Sequence, residues 1–129
     1  MPMTDYGLGE RNGFQVIHNG GRWRTALHSY DENVNGVACL KEWGIHEDSE
    51  EAFVLLRGTA VLAVREKDGQ VNVCRMEPFH QYVVGVAEHH AIALREGAIV
   101  LIMENQDMSR FRTEVMDEVW RAAVIAALE

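Results

Sequence analysis

Gly44-Ile45-His46-Glu47-Asp48-Ser49-Glu50-Glu51-Ala52-Phe53-Val54-Leu55-Leu56-Arg57-Gly58 is the stretch from which the rest of this sequence is read. A histidine and a carboxylate, His46 and Glu51, flank a short acidic turn that runs into an apolar strand ending at a glycine. The two-residue period of a strand puts Glu51 on the same face as Phe53 and Leu55, so an ionised carboxylate is expected in a largely apolar interior. Left unpaired there, the charge costs several kcal/mol, and a metal ion, an arginine or a proton has to accompany it. Arg24 is the candidate arginine.

A chain of 129 residues with 47% hydrophobic content encloses one core. We divide it into an N-terminal arm over 1–13, a β-domain over 14–108 and a C-terminal amphipathic helix over 109–129. The net charge of -8 repels polyanions, so nucleic acid is not an expected partner. The start of the chain lacks the basic and apolar blocks of a signal peptide, and no run is long enough to span a bilayer, so neither secretion nor a membrane is expected. Cys39 and Cys74 fall in strand-like runs without Cys-x-x-Cys spacing and are read as buried free thiols in the cytoplasm.

Strand signals recur along the domain. Phe14–His18, the turn Asn19-Gly20-Gly21 and Arg22–Tyr30 form a hairpin, because asparagine and glycine accept the positive φ of tight turns. A third strand is expected over Val37–Trp43. Thr59–Glu66 and Gln70–Met76 flank Asp68-Gly69, the clearest hairpin turn in the sequence. Pro78 has no amide hydrogen and interrupts pairing before Gln81–Val84. His89–Leu94 and Ala98–Glu104 close the series. Many short strands at regular spacing point to an all-β sandwich or barrel. The tail changes period: Val115, Met116, Val119, Trp120, Ala123 and Ala127 recur at three or four, giving an apolar stripe that the barrel wall or a second subunit must cover.

The strand rhythm together with His46, Glu51, Gly58 and His90 resembles the cupin superfamily, whose members are antiparallel β-barrels of jelly-roll type. The first cupin motif has a His-x-His pair, three or four residues, a glutamate, six residues and a glycine. His46, Glu51 and Gly58 match that spacing, but Gly44 stands where the first histidine belongs. In the second motif only the histidine survives, with Gly85 in place of proline, Ala87 in place of glycine and Leu94 in place of asparagine. Alternation selects His90 over His89 as its inward member, since His90 shares a face with Ile92 and Leu94.

The resemblance implies a metal site formed by His46, Glu51 and His90. Two imidazoles and a carboxylate suit divalent iron, zinc, manganese or nickel and leave positions open to water or substrate. Without an ion, His46 reads as part of a solvated acidic loop and His90 as a hydrogen-bonded core histidine. Arg24 and His28 share one strand face, His80 and Tyr82 another, and either pair could orient a small ligand; His28 or His80 could also supply a fourth metal ligand. Three functions follow as expectations. One is a metal-dependent enzyme of isomerase or dioxygenase type acting on a small polar molecule. Another is a metal-free or non-catalytic cupin that binds a sugar or organic acid, or serves a structural or regulatory role. The last is a metal-free isomerase or epimerase using a histidine base. Trp23 and Trp43 read as packing residues, and Trp120 on the helix stripe marks an expected homodimer contact.

Overall fold

Residues 3–129 are described by the computed structural model; Met1 and Pro2, the start of the expected arm, lie outside the described residues. The chain runs through β1 (Gly13–Asn19), β2 (Trp23–Ser29), a single 3-10 turn (Val37–Cys39), β3 (Glu42–His46), β4 (Glu51–Arg57), β5 (Ala60–Arg65), β6 (Val71–Arg75), β7 (Gln81–Val84), β8 (His89–Leu94), β9 (Ile99–Asn105), β10 (Phe111–Val115) and α1 (Glu118–Leu128). The strands form two five-stranded sheets, ordered β1-β2-β9-β4-β7 and β10-β3-β8-β5-β6. All of their ladders are antiparallel. The arrangement is consistent with a jelly roll, and no ladder joins the two sheets among the described residues, so they do not close into one continuous barrel.

The sequence pattern explains which faces meet. In β4 Glu51, Phe53 and Leu55 are buried in alternation with partly exposed neighbours, so this strand has one dry face. Phe53 and Leu55 join Ala26, Leu62, Val84, Leu94, Val100 and Ile102 in the core between the sheets. β5 differs, since Ala60, Val61, Leu62 and Ala63 are all buried in succession. A continuous apolar run belongs to a strand covered on both sides. Its second cover is α1, which lays Val124 and Leu128 over Trp43, Val61, Ala63, Ala91 and Ala93.

Met116, Trp120 and Ala127 of the helix stripe are covered by the chain's own sheet, while Val115 and Val119 stay exposed. Trp120 is partly buried against that cluster within its own chain. The helix is also shorter than the expected 109–129. Phe111–Val115 is a strand paired with β3, with Thr113 opposite Gly44. An unpaired edge on β3 offers that segment a ladder of backbone hydrogen bonds, which outweighs its weak local helical period.

The third strand also begins later than expected. Val37–Cys39 forms the 3-10 turn, because residues 31–36 are tied by Asn35 N–H and Val34 N–H donating to the Asp31 carbonyl. Pairing starts at Glu42, and Cys39 is exposed where burial was expected. Cys74 is partly exposed, and both thiols are free. Trp43 is buried as expected, whereas Trp23 is half exposed beside His18.

Candidate metal centre

His46 ends β3 in one sheet and Glu51 begins β4 in the other, so the acidic turn between them is the crossover from sheet to sheet. Four intervening residues keep both side chains at the same end of the sandwich. His90 arrives beside them because Gly44 pairs directly with it across the β3–β8 ladder. The turn before β8 is fixed by Ala87 N–H donating to the His46 carbonyl at 2.8 Å. Ala87 holds a left-handed φ of 62°, a conformation that favours the glycine of the cupin pattern.

The three side chains converge. His46 Nε2 lies 2.7 Å and His90 Nε2 3.1 Å from the same oxygen, Glu51 Oε1. The two imidazoles are near parallel, with an interplanar angle of 15° and centroids 5.4 Å apart. Ligand atoms from all three residues lie within 4.8 Å of one another, and all three residues are buried. Two imidazole nitrogens and a carboxylate oxygen directed at one point make a donor set that fits a divalent transition ion. His90 Nδ1 is buried without a hydrogen-bond partner, so the ring is oriented by its Nε2 contact and by packing.

Burial opposes charge at this cluster, and the partners overcome it. For Glu51, burial pushes the pKa up, but the hydrogen bonds and charges of His46 and His90 hold the carboxyl down to about 2. For His46, burial favours the neutral ring, yet Glu51 and Glu104 together raise its pKa. The acid is thus ionised and leans on a readily protonated imidazole.

Arg24 pairs with Glu104, where the sequence reading paired it with Glu51. Its Nε and Nη2 both contact Glu104 Oε2, at 2.7 and 2.6 Å. The reason is register. Arg24, Glu104 and Glu51 stand in one row across β2, β9 and β4, with Glu104 in the middle. Glu104 Oε1 lies 3.8 Å from His46 Nε2. Burial and then the charge of Glu51 raise the Glu104 pKa against the pull of Arg24. The sequence does carry a signal for this residue: Glu104 has the parity of Val100 and Ile102, the same alternation that turns Glu51 inward.

His28, the other expected ligand-binding residue on β2, lines the same cavity of about 340 Å³ together with Arg24 and the three clustered residues. Asn35 Nδ2 donates to the Ser29 carbonyl at 2.9 Å, while Asn35 Oδ1 accepts from Asp31 N–H. With its amide oriented in that way, Asn35 Nδ2 also donates to His28 Nδ1 at 3.2 Å, leaving the proton of the neutral ring on Nε2. Burial drives the His28 pKa down to about 4, so the ring is neutral at physiological pH. A ring protonated at Nε2 is a donor to a ligand and does not match the expected fourth metal ligand.

His80 and Tyr82 do not line this cavity. Val84 is the residue opposite Glu51, while Tyr82 stands opposite Phe53, one inward step away. The Tyr82 hydroxyl accepts from Glu77 N–H at 2.8 Å, and His80 is exposed beside Glu77. Phe14, Met108 and Phe111 complete the cavity wall and were not anticipated. They come from loops and edge strands whose neighbours cannot be read locally. Phe111 sits where a ligand is missing: a Cβ on Gly44 would lie 3.1 Å from its ring and 3.5 Å from His90 Cε1. A larger open trough of about 780 Å³, near Arg11, Arg57 and Glu96, contains no such convergence.

Comparison with solved structures supports the architecture. An RmlC-like cupin protein from Desulfovibrio desulfuricans superposes with a TM-score of 0.56 at 16% identity, over 81% of this chain and 97% of the other. A cupin-2 domain protein from Shewanella frigidimarina gives 0.50 at 23%, over 75% and 84%. The chain has the cupin fold. Oxalate oxidase solved with the substrate analogue glycolate also superposes on it, at a TM-score of 0.53 and 9% identity, over 84% of this chain and 59% of the enzyme. At the level of sequence, no protein-family model and no curated protein matches the chain. Within this cupin fold, no helix of the described residues is long and apolar enough to cross a membrane.

Proposed function

We propose that this cupin is a metal-dependent enzyme acting on a small polar molecule, with His46, Glu51 and His90 holding a divalent ion of iron, zinc, manganese or nickel. The observation that carries the proposal is the meeting of two buried imidazole nitrogens on one buried carboxylate oxygen beside a cavity. When bound, such an ion would act as a Lewis acid toward a substrate oxygen.

The chain's own residues supply the rest. The cavity, about 340 Å³, is of a size for a small molecule. His28, held neutral by burial and oriented by Asn35, donates Nε2–H to a substrate oxygen. Phe14, Met108 and Phe111 exclude water from one side. Arg24 and a dication outweigh the charges of Glu51 and Glu104, so a small organic anion is the favoured substrate class. The fold likeness to an enzyme solved with glycolate is in keeping with that class. Free Cys39 and Cys74 support placing the protein in a reducing compartment such as the cytoplasm.

A second reading rests on the His46–Glu51 contact itself. As an ion pair it satisfies both groups without a metal, which would make the protein a metal-free binding cupin. Elemental analysis of protein purified without an affinity tag decides between them. Stoichiometric metal in the wild type, lost in both Glu51→Gln and His90→Ala, supports the enzyme reading. Absence of metal, with a melting temperature unchanged by added divalent ions, leaves the binding protein. A bound ion should stabilise the fold by about 2.7 kcal/mol at a hundredfold excess over its dissociation constant.

A further inference from the structure

Resting on the metal-holding reading above, we propose that Glu104 is a fourth ligand, supplied by β9 in place of the histidine that Gly44 lacks, and that Arg24 sets its aim.

The β3 side of the centre has no donor to give. A side chain at position 44 would point beside His90, but that space is filled by the Phe111 ring. Of the remaining donors on the cavity wall, His28 is committed through Asn35 to carrying its proton on Nε2. The Met108 thioether is a soft ligand, poorly matched to a site of oxygen and imidazole donors. Glu104 remains.

Its carboxylate is held in one orientation beside the cluster. Arg24 engages Oε2 with two nitrogens and leaves Oε1 directed at the cluster, 3.8 Å from His46 Nε2. A ligating carboxylate is ordinarily fixed in this manner by a hydrogen-bond donor on its second oxygen. Glu51 and Glu104 also stand directly opposite one another on a buried face. Like charges so placed repel. Arg24 contacts only the outer member of the pair, so a cation between the carboxylates and the imidazoles relieves what Arg24 leaves. The result is a set of two imidazoles and two carboxylates, one pair from each sheet.

Cobalt(II) tests this without any assay of turnover. The wild type, Glu104→Gln, Glu104→Asp, Glu51→Gln and the exposed control Glu114→Gln are titrated with cobalt, following both affinity and the visible d–d bands, with circular dichroism to verify folding. Glu104→Gln should weaken binding by tenfold or more and shift the intensity and position of the bands. Glu114→Gln should change neither. Affinity alone would also fall if Glu104 merely steadied His46, so the spectrum carries the decision. Bands superimposable on the wild type in Glu104→Gln, together with binding abolished in Glu51→Gln, overturn the role of Glu104 and leave the three-residue centre standing. Failure of folded wild type to bind cobalt, zinc or manganese overturns both. If Glu104→Gln does not fold, Glu104→Asp decides, because it keeps a charged partner for Arg24 and withdraws the oxygen from the cluster. An unaltered spectrum there refutes the proposal.

Discussion

Glu51→Gln in protein held free of metal by chelator probes the centre through stability alone. The substitution keeps the shape of the side chain and removes the charge that His46 and His90 contact at 2.7 and 3.1 Å. The interval between the ordinary carboxyl value of 4.5 and the folded value of about 2 corresponds to about 3 kcal/mol. Breaking a buried pair on one side carries a cost of the same order. Because the folded pKa is depressed, this stabilisation is complete above pH 4.5 and disappears as pH falls toward 2. His46 has a raised pKa, so its share is complete below its ordinary value of 6.5 and fades as pH rises through the folded value. The interaction is therefore fully formed between about pH 4.5 and 6.5. At pH 6 the variant should melt about 10 °C below the wild type, taking roughly 3 °C per kcal/mol for a chain of this length. At pH 3 the difference should shrink to less than half of its value at pH 6, since the wild-type carboxyl is then losing its advantage over the unfolded chain. Calorimetry at the two pH values measures both. A loss under 2 °C at pH 6, or an equal difference at pH 3, would refute the picture of an ionised acid held between two rings.

Three further substitutions address the frame around the centre. Ala87→Gly should raise stability by about 0.5–1 kcal/mol in denaturant melts, since relief of the left-handed φ exceeds the added freedom of the unfolded chain. Gly58→Ala should cost about 3 kcal/mol or more by the same assay, because φ is +83° and the new Cβ would fall 2.5 Å from the Ala98 Cα. Trp120→Ala should lower stability by about 2–3 kcal/mol while leaving the sedimentation coefficient unchanged, as its ring packs within its own chain; a change of oligomeric state would contradict that assignment.

Local chemistry made much of this protein legible from its sequence. Short apolar or alternating runs bounded by turn residues located β1, β2 and β4 through β9 to within a residue or two. Alternation turned Glu51 and His90 inward, and the four-residue spacing keeps His46 and Glu51 at the same end of the sandwich. These features depend on neighbours along the chain. What lies beside what across a sheet does not. The row Arg24, Glu104, Glu51 exists because β9 lies between β2 and β4, and no residue within any of those strands announces that order. Val84 and not Tyr82 stands opposite Glu51 because of the register between β4 and β7, and neither Tyr82 nor His80 lines the cavity. Phe111 entered the cavity only because β10 found the open edge of β3 and paired there. Backbone hydrogen bonds between strands carry no record of sequence distance, so register and lateral order are settled when the whole chain packs. The sequence by itself determined the spacing and parity of His46, Glu51 and His90, the side chains that could hold an ion. Tertiary structure decided which carboxylate the arginine holds, and which one it leaves for the imidazoles.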